Sequence, residues 1–576
     1  MQAMWKLKFK DELSVVISGS AGQGLQTVEQ LLLRMMSSAG YHVFAYSEFM
    51  SRIRGGNNST QIRISCNRVN SFVDRIDVFF PIEEIAISRF KNRLTKDTLI
   101  IGQEKYIEDI FRQGKYNIAL IPESPAKNDS GNQIIINIQV IGILSALMGI
   151  DNNKAISLIK NYFSKLSEEK MSDNIYSLNK GYEFVQENFR SRISYPLFAP
   201  GKESDKEMLL YGSDAIGMGA LAGGCDFVSS YPMSPSTGVL VYLAQKSQDF
   251  KIVVEQAEDE ISAVNMVIGA WYAGARAMVT TSGGGFALMI EGLSLAGALE
   301  SPLVIHLAQR PGPATGLPTR TEQADLLMAL YAGHGEFPRV ILAPGTKDEG
   351  ITFACNAFNM ADKYQVPVFI LTDQYFLDSA NNIPAVDLSN LKVEKYFIKT
   401  ETGYKRHTFT RDGISPRGIP GYGSGIVCVD SDEHDEADYI TEDSDIRTRM
   451  VDKRLKKLNA IERDIIQPKL TGNKKYKYLI VGWGSTFGAI NEALELIGNK
   501  DIAFLHFSQL YPLSKKTGSL LQKAKKTIIV EGNATSQFGK LIKLETGHVF
   551  DNAIHKYNGI PFSVEELVKK IKKCLS

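Results

Sequence analysis

The residues best suited to chemistry lie in one stretch of the sequence, from Tyr231 to Arg310. Glu260 is a carboxylate at the point where a strand turn opens into a helix of small residues, ISAVNMVIGA. Ser234 offers a hydroxyl that can bond the oxygen atoms of a ligand, and Arg310 offers a two-pronged guanidinium that suits a planar carboxylate. Groups of these types can do acid–base chemistry and can bind the oxygen atoms of an anion.

Three other acidic residues compete with Glu260 for the acid–base role: Glu255, Glu258 and Asp259. A carboxylate at the start of a helix also has a purely structural use, because it offsets the helix dipole and stabilises the helix by about 0.3–1 kcal/mol. Glu258 or Asp259 would serve that purpose. The residue types alone leave the assignment open.

Short apolar strands alternate with helices around these residues. Strands are predicted at 251–255, 277–281 and 302–307, and helices at 261–272 and 286–299. Alternation with Gly-rich turns is typical of parallel α/β units. The turn TTSGGG, which ends at Gly285, precedes a helix and could therefore bind a phosphate at the helix N-terminus.

Four motifs carry a resemblance to a known family: YPMSPST, EDEISA, TTSGGGFALMIE and QRPGPATGLPTRTEQADL. In this order they resemble the α subunit of the 2-oxoacid:ferredoxin oxidoreductases, the family of pyruvate and 2-oxoglutarate synthases. The family has YPITPSS and TSGPGF at the first and third motif. The resemblance implies that this region is the pyrimidine-binding domain of a thiamine diphosphate enzyme.

The resemblance also implies a role for each candidate residue. Glu260 has the position of the family's catalytic Glu, which favours the cofactor tautomer that performs the deprotonation. Ser234, where the family usually has Thr, and Arg310 would face the 2-oxoacid. The Gly-rich loop would approach the aminopyrimidine, with the diphosphate elsewhere. The implied cofactor contacts in this domain are Tyr231, Pro232, Ser282, Gly283 and Gly284.

The N-terminal part is similar to the γ domain of the same enzymes. GSAGQG and the later RGG stand where the family has GxGGQG and RGG, although Ser20 and Ala21 depart from the pattern. The resemblance places coenzyme A near Gly22, Gln23, Gly24, Arg54 and Gly55. A tight strand–helix turn explains the glycines equally well. Their order, GxxGxG, differs from the GxGxxG of nicotinamide-binding domains and disfavours a dehydrogenase.

The predicted fold class is multidomain α/β, because 576 residues exceed what one core organises. The γ-type domain is expected at residues 1–190, followed by a linker at 191–206. The pyrimidine-binding domain is expected at 207–395, and a charged connecting segment at 396–473. Residues 474–576 resemble the C-terminal domain of transketolase-like enzymes.

Composition and missing motifs bear on partners. A net charge of +1 gives no electrostatic support for nucleic acid or membrane binding, and the start of the chain lacks a signal-peptide layout, which predicts a cytoplasmic protein. The five cysteines are far apart without a CxxC pair, and no GDG motif for a metal-bound diphosphate is present. The resemblance implies that a partner β subunit carries Mg²⁺ and a [4Fe–4S] cluster, with ferredoxin as acceptor and an (αβ)₂ assembly.

No metal site is predicted on this chain itself. The segment around His434, DEHDEAD, has the composition of a metal site, but a solvated acidic loop is the preferred interpretation. The predicted function is oxidative decarboxylation of a 2-oxoacid to acyl-CoA and CO₂. TGLPTRTEQADL favours 2-oxoglutarate, with pyruvate or branched-chain substrates and a noncatalytic assembly subunit as alternatives.

Overall fold

The computed structural model describes residues 11–20, 24–50, 56–111, 116–122, 129–189, 196–201 and 207–576. The chain divides into two compact units. The first contains the residues up to Leu210 together with Ser379–Ala385 and Ser563–Glu565, and the second contains the rest. Four of the predicted coenzyme A contacts, Gly22, Gln23, Arg54 and Gly55, lie outside the described residues, as does most of the predicted linker.

The strands, in chain order, are β1 (Glu12–Ser20), β2 (His42–Glu48), β3 (Asn57–Ser65), β4 (Val78–Pro81), β5 (Leu99–Gly102), β6 (Asn117–Leu120), β7 (Glu207–Tyr211), β8 (Phe227–Ser230), β9 (Val253–Gln256), β10 (Ala277–Thr281), β11 (Leu303–Gln309), β12 (Val340–Leu342), β13 (Pro367–Asp373), β14 (Ser379–Pro384), β15 (Phe397–Thr400), β16 (Arg417–Gly423), β17 (Lys469–Gly472), β18 (Tyr478–Trp483), β19 (Ile502–Phe507), β20 (Gln509–Tyr511), β21 (Lys526–Glu531) and β22 (Asn552–His555).

The helices are α1 (Leu25–Ser38), α2 (Ile85–Phe90), α3 (Glu104–Phe111), α4 (Asp129–Leu147), α5 (Asn152–Tyr162), α6 (Glu168–Phe189), α7 (Gly212–Ala222), α8 (Thr237–Phe250), α9 (Glu260–Tyr272), α10 (Gly283–Leu288), α11 (Ile290–Ala298), α12 (Leu326–Tyr331), α13 (Lys347–Tyr364), α14 (Gln374–Asp378), α15 (Ser444–Ile461), α16 (Thr486–Ile497), α17 (Thr517–Gln522), α18 (Gln537–Thr546) and α19 (Val564–Leu575). Among the described residues no helix has both the length and the apolar character needed to cross a membrane.

The first unit is built on an eight-stranded mixed sheet in the order β6-β5-β4-β1-β3-β2-β14-β7. β1 is parallel to β4 and antiparallel to β3. Almost every residue of β1 and β2 is buried, as expected for strands that are covered on both faces.

Two strands of this sheet fall inside the segment that the sequence assigns to the second domain, 207–395. β7 begins at Glu207, and β14 returns from the second unit to pair with β2. Asn382 fixes this return, because its Oδ1 accepts from the Val43 amide at 2.8 Å and its Nδ2 donates to the Tyr41 carbonyl at 3.1 Å. The predicted domain boundary therefore differs from the structure at both places, since strand pairing over such a distance leaves no local pattern.

The second unit contains a seven-stranded sheet in the order β20-β12-β13-β11-β10-β8-β9. All of its strands are parallel except β20, which is antiparallel to β12. β10, β11 and β13 are wholly buried, which matches their apolar composition. The helix predicted at 286–299 is two helices, because the chain bends at Met289 between α10 and α11.

The C-terminal part of the second unit is a five-stranded sheet, β17-β19-β18-β21-β22, in which only β17 is antiparallel to its neighbour. Local sequence pattern predicts this region well, since α16 spans the same residues as the predicted helix TFGAINEALELI. The strand–helix alternation explains the agreement.

Buried charge connects the predicted 396–473 segment to the turn between α11 and β11. Glu300, at this turn, is 1% exposed and pairs with the ammonium groups of Lys453 and Lys457, the latter at 2.5 Å. Arg406 donates to the Glu300 carbonyl at 2.7 Å. Burial would raise the pKa of the Glu300 carboxyl, but Lys457 and Lys453, with His407, hold it well below its usual range.

Candidate active site

The candidate residues gather at one edge of the seven-stranded sheet. β8 ends at Ser230 just before YPMSPST, β9 ends shortly before Glu260, and β10 ends directly before Ser282. β11 ends at Gln309, next to Arg310. These four strands are parallel neighbours, so their carboxyl ends open on the same side, which is where ligands bind in open α/β sheets.

Glu260 is the only buried member of the four acidic candidates. It is 4% exposed, whereas Glu255 and Glu258 are exposed and Asp259 is half-buried. Asp259 caps α9, because its Oδ1 accepts from the Ser262 amide at 2.7 Å. The structural use of a carboxylate at this helix therefore belongs to Asp259, and the catalytic role of Glu260 stays a prediction.

The Glu260 carboxylate lies against the Gly-rich loop without a complete set of partners. Its Oε1 atom is buried and has no hydrogen-bond partner among the described residues. A Cβ atom added to Gly285 would lie 2.7 Å from this oxygen and 2.2 Å from Thr281 Oγ1. Only glycine permits this approach. A buried carboxylate oxygen left unpaired is costly, and in native proteins such atoms mark functional positions.

The loop Ser282–Gly285 has little capacity to bind a phosphate by itself. α10 begins within it but has only six residues. The Ser282 hydroxyl is buried and lacks a partner in the described part of the chain. Gly284 faces open space, since a Cβ there would meet only Ala314 O at 3.9 Å and Met233 Sδ at 4.0 Å. The backbone of this loop is thus accessible to a ligand at Gly284.

Arg310 and Ser234 lie together, but they are joined by the backbone. The Arg310 Nη1 donates to the Ser234 carbonyl at 2.7 Å, and the Ser234 side chain is exposed. The Arg310 Nε is buried and has no partner among the described residues. Burial lowers the pKa of Arg310, which nevertheless stays a cation at neutral pH. Tyr231 is 42% exposed, and Pro232 is half-buried.

Asp325 is a site residue that the sequence analysis did not single out. It stands at the start of α12, and its amide donates to Gln309 Oε1 at 3.0 Å. A Cβ on Gly283 would lie 2.6 Å from Asp325 Oδ2, so the carboxylate faces the Gly-rich loop. The only signal in the sequence is its place in TEQADL, within the Arg-containing motif.

In the first unit, Gly24 is the one described residue of the five predicted coenzyme A contacts. It has φ 76° and immediately precedes α1. This conformation is what a tight strand–helix turn requires of glycine. The structure thus accounts for Gly24 locally, and its contact with coenzyme A stays a prediction.

The environment of His434 differs from the predicted solvated acidic loop. His434 is fully buried, its Nδ1 lies 2.9 Å from the Asp432 carbonyl, and its ring is 4.1 Å from that of His407. With Asp438, whose Oδ1 is 3.0 Å from His407 Nε2, these residues are the one group of three potential metal ligands among the described residues. His407 also contacts the Glu300–lysine network, whose cations oppose a divalent metal. The absence of a metal stays a prediction.

Comparison with known proteins gives matches over nearly the whole chain. A family profile described as pyruvate flavodoxin/ferredoxin oxidoreductase, thiamine diphosphate-binding, matches residues 218–453. A second, pyruvate ferredoxin/flavodoxin oxidoreductase, matches residues 14–184. A 2-oxoacid:ferredoxin oxidoreductase subunit alpha from a Sulfolobus species is 34% identical, with 98% of this chain and 97% of the relative covered.

Two further relatives agree with this result. The 2-oxoglutarate oxidoreductase subunit KorA of Mycobacterium tuberculosis is 30% identical over 98% of this chain and 92% of its own length. Among solved structures, the 2-oxoglutarate:ferredoxin oxidoreductase from Magnetococcus marinus, with 2-oxoglutarate, coenzyme A and succinyl-CoA bound, has a TM-score of 0.90. That match is 28% identical and covers 99% of this chain and 100% of the other.

Proposed function

Because this chain belongs to the α subunits of the 2-oxoacid:ferredoxin oxidoreductases, we propose that it supplies the aminopyrimidine half of a thiamine diphosphate site that acts on 2-oxoglutarate. The products are an acyl-CoA and CO₂, and the electrons leave to ferredoxin. The observation that carries the proposal is Glu260, a buried carboxylate with an unpartnered oxygen beside a glycine that no other residue could replace.

The residues present fit the aminopyrimidine part of the cofactor. Glu260 Oε1 is free to bond a ring nitrogen, and the backbone at Gly284 is open to a flat ring. When bound, thiamine diphosphate supplies a carbon nucleophile and an electron sink for decarboxylation. The Glu260 carboxylate would bond a ring nitrogen, and its negative charge would favour the tautomer of the aminopyrimidine that can remove a proton. Tyr231, Pro232, Ser282 and Gly283 would complete the wall around it.

Arg310 would bind the carboxylate of the 2-oxoacid. Its Nη1 is held by the Ser234 carbonyl, which fixes the guanidinium plane, while its Nε keeps a free N–H. A guanidinium in this position offers a planar fork to a planar carboxylate. The exposed Ser234 hydroxyl would contact the substrate from the side of the YPMSPST loop.

The remaining parts of the reaction require a partner. No GDG motif is present in the sequence, and the five cysteines are far apart in it. A β subunit would therefore contribute Mg²⁺, the diphosphate site and a [4Fe–4S] cluster, in an (αβ)₂ complex in the cytoplasm. Coenzyme A would approach the first unit near Gly24.

The preference for 2-oxoglutarate has separate support. Relatives named for 2-oxoglutarate are among those that match, and the similar solved structure has 2-oxoglutarate bound. The alternatives are pyruvate or a branched-chain 2-oxoacid. A noncatalytic assembly subunit is disfavoured because such a subunit would gain stability by losing the unpartnered oxygen of Glu260.

The test is reconstitution. We expect coexpression with the partner to give a brown, iron-containing complex that reduces a viologen dye with 2-oxoglutarate faster than with pyruvate or branched 2-oxoacids. Preference for pyruvate would correct the substrate alone. A colourless, active lone chain, or a complex inactive with every 2-oxoacid, would contradict the proposal.

A further inference from the structure

We propose that Asp325 is a further acid–base group of this active site. Its side chain takes up one proton when the 2-oxoacid enters and, in this neutral form, binds the substrate. The inference rests on the proposed function, because it places the substrate carboxylate at Arg310. It adds a residue to which neither the motifs nor the comparisons give a role.

The position of Asp325 is fixed by the same strand that carries Arg310. Gln309, the last residue of β11, is fully buried and donates through Nε2 to the Thr372 carbonyl at 3.1 Å. Its Oε1 accepts the Asp325 amide at 3.0 Å. Gln309 thus anchors Asp325 while the next residue along the chain is Arg310. The Asp325 backbone is therefore held beside the residue that precedes Arg310.

The Asp325 carboxylate lies against the Gly-rich loop. Both of its oxygens lie within 2.8 Å of the place that a Cβ on Gly283 would occupy. On the same loop, Glu260 occupies the equivalent place at Gly285. The loop is therefore bracketed by two carboxylates, one on each side of the open backbone at Gly284.

Asp325 and Arg310 influence each other but do not form an ion pair. Each keeps a buried polar atom without a partner among the described residues, Oδ2 of Asp325 and Nε of Arg310. A direct ion pair would have satisfied both atoms. Asp325 therefore keeps an acceptor, and Arg310 a donor, that a ligand can use. A 2-oxoacid has the complementary groups, provided that Asp325 presents an O–H.

The charge balance supplies the reason for the proton. Within the described part of the chain, the charged groups that act on the Asp325 carboxylate are the Arg310 guanidinium and the Glu322 carboxylate on the same segment. The Glu260 carboxylate lies two residues further along the Gly-rich loop, at Gly285. When an anionic 2-oxoacid binds, one guanidinium must serve two carboxylates. Two carboxylates that share one cation repel each other, which favours the binding of a proton by one of them. Burial already raises the pKa of Asp325 to about 6, although Arg310 opposes the shift.

Asp325 takes up the proton from solvent and later releases it to solvent. The proton comes from solvent when the substrate binds and forms the Asp325 O–H, which donates to a substrate oxygen. When the bond between the carboxylate carbon and the 2-oxo carbon breaks, the electron pair of that bond stays with the former 2-oxo carbon and CO₂ leaves uncharged. Asp325 then ionises again, and no net proton is consumed by this group.

The pH dependence of the Michaelis constant in the assembled complex tests the inference. With Asp325 ionised in the free enzyme, KM for 2-oxoglutarate should rise with pH above about 6, by up to tenfold per pH unit. Asp325→Asn keeps a hydrogen-bond donor and can never ionise, so we expect KM to become nearly independent of pH. Asp325→Ser offers a shorter hydroxyl donor that cannot ionise in this range, so it should flatten the profile in the same way, with a higher KM.

Glu322→Gln is the matched control, because burial raises the pKa of Glu322 to about 7 and this residue could also produce a titration in this range. Its KM profile should keep the wild-type slope. As a second readout, an infrared difference spectrum at pH 7.5 should show a protonated carboxyl band when 2-oxoglutarate is added, and Asp325→Asn should abolish it.

Three results would overturn the inference. The first is that KM depends on pH in both Asp325 variants as it does in the wild type, and the second is that these variants lose activity by the same factor at every pH. The third is that Glu322→Gln, and not the Asp325 variants, flattens the dependence of KM on pH. These outcomes differ from failure of the proposed function. In that case the wild-type complex would oxidise no 2-oxoacid at all, and no profile would exist.

Discussion

Glu260 should have opposite effects on stability and on activity, and this is a sharp test of its role. Its carboxylate is buried, yet Oε1 has no partner in the described part of the protein. A buried polar group left unpaired costs about 1–3 kcal/mol, and more when it is charged. Glu260→Gln keeps the size of the side chain and removes the charge. We expect the lone chain to gain about 1–2 kcal/mol in its free energy of unfolding.

Turnover should move the other way. The amide can still donate to or accept from the cofactor ring, but it cannot provide the negative charge that sets the protonation state of the aminopyrimidine. Loss of a positioned acid–base group typically costs 10²–10⁴-fold. Assembly with the partner should be unchanged, because the substitution preserves shape.

Asp259, the residue before Glu260, is the matched control, because its substitution should have the opposite effects on stability and turnover. Asp259 caps α9 through the Ser262 amide and is not otherwise assigned to chemistry. Asp259→Ala should lower stability by about 1 kcal/mol through loss of the cap. Its complex should keep most of its activity. One carboxylate of the pair thus contributes to folding and the other to catalysis.

Two assays are needed, urea unfolding of the lone chain and viologen reduction by the complex. The reasoning is refuted if Glu260→Gln is less stable than the wild type, since Oε1 would then have a partner that the structure lacks. Near-normal turnover of Glu260→Gln would return the catalytic role to Glu258 or Glu255. If Glu260→Gln and Asp259→Ala changed stability and turnover by equal amounts, neither carboxylate would have a specialised role.

Three further predictions concern the substrate, the cofactor and the buried charges. Arg310→Lys should raise KM for the 2-oxoacid and lower kcat/KM with little change in thiamine diphosphate affinity, because lysine loses the two-pronged geometry; steady-state kinetics decide, and a change confined to cofactor affinity would remove Arg310 from the substrate. The lone chain should fold but show little saturable binding of thiamine diphosphate with Mg²⁺ in calorimetry, since it has no GDG motif and the diphosphate charge would stay uncompensated; tight stoichiometric binding would rule out a two-chain site. Glu300→Gln should destabilise by about 3–5 kcal/mol, because it leaves Lys453 and Lys457 buried without their partner. The Glu300 pKa is held well below 4.5, so its contribution to stability is present at neutral pH and down to about pH 4.5, and is lost as pH falls through the folded-state pKa. In unfolding curves, the difference in the free energy of unfolding between variant and wild type should therefore narrow only in acid. A difference that disappears at neutral pH would contradict this.

Much of the site could be predicted because its signals are local. Glu260 is the first residue of a helix of small residues, and the strand ends around it follow from apolar runs that finish at glycines or polar residues. Parallel strands bring their carboxyl ends together, so motifs distant in the sequence meet without further information. Arg310 and Ser234 meet for this reason.

Other features could not be predicted because they depend on distant partners. Asp325 faces Gly283 only after β11 and β10 have paired, and nothing in TEQADL distinguishes it from a helix cap. The sequence around His434 is acidic and suggested solvent, yet the His407 ring, 27 residues earlier, covers it. In both cases the decisive neighbour lies outside any local window.

The path of β14 has a consequence for synthesis on the ribosome. The sheet of the first unit lacks β14 until residues 379–384 have been made, and β7 has no neighbour in that sheet except β14. About 330 residues separate β2 from β14, which at 5–20 residues per second corresponds to roughly 17–66 s of elongation. During that interval the edge of β2, a fully buried strand in the finished protein, is unpaired and can attract other nascent chains. The amino-terminal unit is therefore a poor choice for separate expression, because a fragment that stops before the second unit would leave the edge of β2 unpaired. Residues 379–385, appended through a flexible linker, would pair with that edge.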